Sequence, residues 1–298
     1  MTDQNQETQG KSPNELSRRD LVALSMAVGL AASAGAASGA GLPVVETNVE
    51  VKTPDGVCDA AFIHPKTGTY PGALIWPDAF GLRLAMRDFG KRLAAEGYSV
   101  LVPNPYYRFG KASMVDLDTK KFSFQNPDDM ARLRKLMGGL SAPGAAEKDA
   151  TAFIAFLDAQ KQVNKKKKIG TQGYCMGGPL VIKTCATVPD RVGAGASFHG
   201  GGLVTDQPNS PHLLAPKIKA HLYIGIASND DQRQPDAKDK LREAFADAKV
   251  PAEIEVYQSL HGWCVPDMPE QGGKPIYNKP DAERAWAKLL ALYKSALA

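Results

Sequence analysis

The segment Gly170-Thr171-Gln172-Gly173-Tyr174-Cys175-Met176-Gly177-Gly178 restricts the fold of this chain more than any other stretch. It lies between Lys168-Ile169-Gly170, which opens a strand, and a helical run from Pro179 to Thr187. Glycines two before and two after Cys175 give the spacing G-x-C-x-G, which lets a strand and a helix approach closely around a sharp turn. A side chain on such a turn projects from the carboxyl edge of a sheet. The amide of Met176 points into the same space from a helix start, where unpaired N–H groups favour negative charge. That setting suits a thiolate and can hold an oxyanion. The segment has neither the Gly-Lys-Ser/Thr ending of a phosphate loop nor the G-x-G-x-x-G of a dinucleotide fold. The plainer alternative makes Cys175 a small buried hydrophobe in a glycine-rich turn.

Around this segment the chain alternates short apolar runs with longer stretches of helical period. Val45 to Lys52 and Val57 to Ile63 flank Pro54-Asp55-Gly56 and read as an antiparallel hairpin. Strands are expected at Ala73–Trp76, Ser99–Val102, Gly193–Phe198, His221–Ala227 and Ile254–Tyr257. Helices are expected at Leu84–Glu96, Ala145–Gln160, Ala237–Ala248 and Ala282–Ala296. Residues 103 to 141 are rich in turn formers and charge and read as an irregular insertion. The order predicts an α/β fold, a mostly parallel twisted sheet with helices on both faces.

The first 40 residues read differently. Ser17-Arg18-Arg19-Asp20-Leu21 precedes an Ala/Gly-rich stretch from Val22 to Ala37, with small residues at Ser38-Gly39-Ala40. This resembles a twin-arginine export signal, too short and small-residued for a stable membrane span. Residues 1–40 are therefore expected to be a signal or tail, residues 41–298 the folded domain, and the location periplasmic, with a cytoplasmic tail as the alternative. Export implies a passing encounter with the export machinery. It also places Cys58, Cys175, Cys185 and Cys264 where disulfides can form, in connectivities the sequence does not choose among. A net charge of +4 is small, and the run Lys165 to Lys168 carries no interleaved aromatics and reads as a solvated helix end, so nucleic acid is not an expected partner. No Cys/His cluster has zinc-ligand spacing, and no metal or cofactor is expected.

A nucleophile at Cys175 needs a base and an acid, which in a hydrolase of this architecture follow in the order acid, then histidine. Ser228-Asn229-Asp230-Asp231 follows the His221–Ala227 strand at its carboxyl end. Strand length selects Asp230 and spacing to the next helix selects Asp231; both remain open. Leu260-His261-Gly262-Trp263 follows the next strand and supplies His261. The other histidines, His64, His199, His212 and His221, are expected in ordinary structural or surface places, with His199 able to border the pocket.

With these three in place the chain resembles the dienelactone hydrolase family of α/β-hydrolases from residue 44 to 297. The resemblance rests on Trp76-Pro77-Asp78-Ala79-Phe80-Gly81, Pro103-Asn104-Pro105-Tyr106-Tyr107-Arg108, Gly173-Tyr174-Cys175-Met176-Gly177-Gly178 and His261-Gly262-Trp263. It implies a single eight-stranded domain with a cysteine nucleophile. By position, Asp78 stands where the family has a glutamate that contacts the resting thiol, and Ala79 would give a second oxyanion-hole amide beside Met176. Arg108 matches the arginine that binds a substrate carboxylate. The family's second arginine, just past the histidine, has no counterpart in Cys264-Val265-Pro266-Asp267, so Trp263 and Cys264 would make that wall apolar. Phe80 and Tyr174 complete the expected substrate wall. The bland readings have Asp78 capping the following helix and Phe80 in plain core.

The expectation is a hydrolase of a small ester or lactone, acting through a Cys-His-Asp triad as monomer or homodimer. A more apolar ester or thioester is the alternative substrate. A redox-active thiol protein, with Cys185 as resolving partner, and a non-catalytic binder on the same fold are the competitors from other classes.

Overall fold

A computed structural model describes Met1, residues 41–271 and residues 273–297. The export-signal reading falls on residues outside this set. From Leu42 onward the chain clusters as one unit.

The turn signal at Pro54-Asp55-Gly56 joins β1 (Val44–Thr53) to β2 (Gly56–Pro65), with Thr53 opposite Gly56 in antiparallel register. Gly56 takes a φ of +140°, and the Thr53 hydroxyl donates to its carbonyl at 3.0 Å, closing the hairpin. Next come β3 (Gly72–Trp76), α1 (Leu84–Ala95) and β4 (Ser99–Pro103). Every residue of β3 and β4 is buried, which explains their unbroken apolar character. Residues 103–141 were expected to be irregular, but they contain α2 (Ala112–Val115) and α3 (Pro127–Ser141). In α3 only Leu133, Leu136 and Leu140 are buried, one thin stripe among charges that the composition of the segment obscured. Asn126 caps α3 by accepting from the Asp128 amide at 2.9 Å.

The second half runs α4 (Ala145–Ala159), β5 (Ile169–Tyr174), α5 (Gly177–Thr187), β6 (Val192–Phe198), a 3₁₀ segment (Pro211–Lys217) and β7 (His221–Ile226). It then continues through α6 (Ser228–Arg233), α7 (Ala237–Asp247), β8 (Ala252–Val256) and α8 (Lys279–Ala296). Lys165–Lys168 occupies the connection between α4 and β5 rather than a helix end. The eight strands lie in the order β1-β2-β4-β3-β5-β6-β7-β8, antiparallel through β1, β2 and β4 and parallel from β4 to β8. Two apolar cores fill the two faces, one including Trp76, Phe153 and Val181, the other Phe89, Tyr174, Trp286 and Tyr293. The parallel arrangement brings the segments after β3, β5, β6, β7 and β8 to one edge. Among the described residues no helix is long and apolar enough to cross a membrane.

Candidate active site

The turn around Cys175 follows from close packing. A Cβ on Gly173 would meet the Gly177 carbonyl, and one on Gly177 would meet the Trp76 carbonyl, so only glycine lets α5 start this near β5 and β3. Between them Cys175 is held at φ +51°, a left-handed conformation that a non-glycine residue rarely adopts and that marks a site over-determined by its surroundings. Its side chain is half-buried and its thiol is free.

His261 stands opposite. The segment after β8 is fastened to the one after β7: the Ser228 amide donates to the Ser259 carbonyl at 3.0 Å, and the His261 amide donates to the Asn229 side chain at 2.8 Å. The same fastening delivers Asp230, whose Oδ2 lies 2.6 Å from His261 Nδ1. Asp230 lies in the first turn of α6, and its other oxygen accepts from the Arg233 guanidinium. Asp231 turns away to pair with Lys238 at 2.8 Å, so of the two acids left open by the sequence only Asp230 reaches the imidazole. Burial alone disfavours a charged imidazole, yet attraction to Cys175 and hydrogen bonds to Asp230 and Cys175 outweigh it and raise His261 to about 10. The structure thus brings Cys175, His261 and Asp230 into one row at the carboxyl edge.

Ala79 lies in the segment after β3, and Met176 directly follows Cys175. Met176 is the N-cap residue of α5, and Ala79 sits in a tight turn in which the Gly81 amide donates to the Asp78 carbonyl at 3.2 Å. The Tyr106 hydroxyl donates to the Ala79 carbonyl at 2.7 Å and lies 3.5 Å from Met176 Sδ, tying the two segments together. Tyr106 lies within the Pro103–Arg108 stretch, but no local pattern signals this contact, since it depends on β3 and β4 ending side by side.

Two charged expectations are corrected. Asp78 does not present its carboxylate to the thiol: Arg83 grips it from both sides, at 2.6 and 3.0 Å, and also binds Asp267 at 2.7 and 2.8 Å. Nor does Asp78 cap α1, whose N-cap is Arg83; it accepts from the Phe80 amide at 2.9 Å within its own turn. Arg108 is taken by Asp149 through two bonds of 2.8 Å and by Asp55 at 2.7 Å. Asp149 is buried on α4, so the guanidinium is held toward α4 and the hairpin.

The aromatic residues are packing partners. Phe80 is buried edge-on against Phe122 at 5.0 Å, Trp263 is fully buried and stacked on Tyr257 at 4.6 Å, and Tyr174 stacks between Phe89 and Phe198. Tyr174, Phe198, Cys264 and Asp267 also line a cavity of roughly 520 Å³ against α1 and α8, whose lining includes neither Cys175 nor His261. His199, for which both an ordinary structural place and the pocket border were open, lies beside His261: its ring meets that of His261 edge to face at 4.9 Å. All four cysteines are free, with Cys58, Cys185 and Cys264 buried.

The sequence profile of the Dienelactone hydrolase family matches residues 58–297. The chain belongs to that family. A carboxymethylenebutenolidase of Rhodococcus opacus is 26% identical over 226 residues, covering 73% of this chain and 82% of the relative. Among solved structures, the protein called m3DLH superposes with a TM-score of 0.71 at 22% identity, over 86% of this chain and 99% of its own. A dienelactone hydrolase-like promiscuous phosphotriesterase from metagenomic libraries gives 0.70 at 20% identity, over 86% and 100%. These likenesses show the α/β-hydrolase fold, and family membership makes the protein a hydrolase.

Proposed function

We propose that this dienelactone hydrolase family member cleaves a small ester or lactone through an acyl-enzyme on Cys175. The Cys175 sulfur, as thiolate beside imidazolium, forms a bond to the carbonyl carbon. The resulting oxyanion lies against the amides of Ala79 and Met176. Collapse breaks the carbon–oxygen bond to the alcohol, which takes its proton from His261. Neutral His261 then accepts a proton from water, the hydroxide displaces sulfur from the acyl carbon, and thiolate and imidazolium are restored. Asp230 holds the imidazole throughout by accepting from Nδ1. The observation that carries this reading is the 2.6 Å pairing of Asp230 with an imidazole that also lies against Cys175.

A more apolar ester is favoured over a dicarboxylate-like lactone. Arg108 is neutralised by Asp149 and Asp55, and Arg83 by Asp78 and Asp267, so neither guanidinium is free for a substrate carboxylate. The redox reading loses support because Cys185 is fully buried within α5.

A panel of p-nitrophenyl esters, thioesters and unsaturated lactones, followed by mass spectrometry of the trapped intermediate, tests the mechanism. Acyl mass on Cys175 is expected; acyl mass on any other residue overturns it. Export through the twin-arginine signal belongs to the same reading. A reporter fused to residues 1–45 should reach the periplasm and should cease to do so when Arg18 and Arg19 are both replaced by lysine.

A further inference from the structure

Cys175 is not alone in its backbone strain. His199, at the end of the neighbouring strand β6, holds a φ of +40°. The two left-handed residues are joined directly. The Cys175 amide donates to the Phe198 carbonyl at 3.1 Å and to His199 Nδ1 at 3.1 Å, while the His199 amide is anchored to the Gly225 carbonyl at 2.8 Å. An imidazole nitrogen that accepts from an N–H carries no proton, so the His199 proton resides on Nε2. That Nε2 is buried and has no protein acceptor among the described residues. An orphaned buried donor weakens a fold, and a residue chosen for packing alone would not carry one. The ring it belongs to is packed edge to face on His261 at 4.9 Å and on Trp263 at 5.1 Å.

We propose that His199 is a positioning residue for the candidate nucleophile: its Nδ1 holds the Cys175 amide, and its ring edge fixes the plane of His261 against the sulfur. The inference rests on the reading of Cys175 and His261 as reacting partners. Cys175 sits on one element and His261 on another, and a single ring touches both. The titratable groups brought against His199 are Cys175, Tyr174 and His261, with Asp230 behind His261. Burial, and the positive His261 beside it, keep His199 neutral. Protonation at Nδ1 would remove the acceptor, so the support to the Cys175 amide persists while His261 is charged.

Two substitutions separate the parts. His199→Asn offers a side-chain oxygen near the place of Nδ1 and tolerates a left-handed backbone, but has no ring. His199→Phe keeps a ring edge and cannot accept. The readout is the pH profile of iodoacetamide alkylation at Cys175 together with the thiolate absorbance, neither of which requires a substrate. His199→Phe is expected to slow alkylation at neutral pH about tenfold, move its pH midpoint upward, and lower kcat by a similar factor with KM within about twofold. His199→Asn should recover alkylation and kcat to within about threefold of wild type. A His199→Phe protein with the wild-type profile overturns the proposal, and so does failure of His199→Asn to recover it. If His199→Phe does not fold, His199→Ala takes its place against His199→Asn, and equal behaviour of those two is the overturning result. A wild-type protein that hydrolyses no ester, with variants that still show these alkylation shifts, breaks the hydrolase reading while leaving this one intact.

Discussion

Two clusters in this molecule set a basic side chain against carboxylates from distant parts of the chain, and they differ in what is left over. Arg108 meets Asp149 and Asp55, which come from α4 and the β1–β2 turn, and all its strong contacts are made. His261 meets Asp230 on one nitrogen only, and its remaining partner is the thiol of Cys175. Both clusters combine side chains far apart in sequence, and both are largely buried. The first is closed by charge balance and fixes the hairpin to α4. The second ends on a half-exposed sulfur held in strained backbone, so it retains a group able to react. A cation beside carboxylates therefore says little about function until its spare valences are counted.

Substitution of the sulfur is the sharpest way to break this comparison. Cys175→Ala should lower ester hydrolysis by about 10⁴-fold and leave the circular dichroism spectrum unchanged. Residual turnover within tenfold of wild type would place the chemistry elsewhere. Next in size is the acid. Asp230→Asn is expected to cost on the order of 10²- to 10³-fold in kcat, because the imidazole loses its orienting acceptor, whereas Asp231→Asn should stay within about threefold. Equal losses would show that the Lys238 pairing does not hold Asp231 away. The pH behaviour follows from the same contact. A histidine raised from 6.5 to about 10 gives stability that is fully present below 6.5 and lost as the pH rises through about 10. Asp230→Asn should draw that upper limit downward in thermal melts recorded from pH 6 to 10.

The closed cluster predicts the opposite pattern. Arg108→Ala leaves the buried Asp149 carboxylate with only the Tyr107 hydroxyl among the described residues, a bond of 2.7 Å, and should destabilise the fold by about 3 kcal/mol. KM for an anionic ester should barely move. A large rise in KM with unchanged stability would return Arg108 to the substrate.

The reach of the sequence follows the same division. The order of strands and helices was legible because apolar periodicity and turn residues are local. Cys175, His261 and the pair Asp230/Asp231 were legible because parallel strands deliver their carboxyl ends to one edge whatever the loops do. Strand length pointed to Asp230, but the exclusion of Asp231 was not legible, since it depends on the Asn229 side chain holding the His261 amide and on Lys238 drawing Asp231 aside. Asp78 and Arg108 were misplaced for a related reason. Their partners, Arg83 with Asp267 and Asp149 with Asp55, are surface-type residues in sequence, and only three-dimensional placement makes them neutralising. His199 was legible as a possible border of the pocket from its place at the end of β6, but its contacts with the Cys175 amide and the His261 ring were not, since a histidine ending an apolar strand carries no local mark of its neighbours on other elements.

A third carboxylate has neither kind of partner and gives the smallest test. Asp116 accepts from the Leu82 amide at 3.0 Å beside Gly81, and among the described residues it forms no ion pair. Burial raises it from 3.8 to about 7, against the weaker opposing influence of that hydrogen bond and of Arg83. Because the folded protein binds this proton more tightly than the unfolded chain does, the associated stability is full below 3.8 and is lost as the pH rises through about 7. Asp116→Asn keeps an acceptor for the Leu82 amide and removes the charge. The variant should match wild type near pH 4 and exceed it at pH 8 by about 1 kcal/mol in urea denaturation. A variant less stable than wild type at pH 8 would mean that the ionised carboxylate supports the segment leading into α1 rather than straining it.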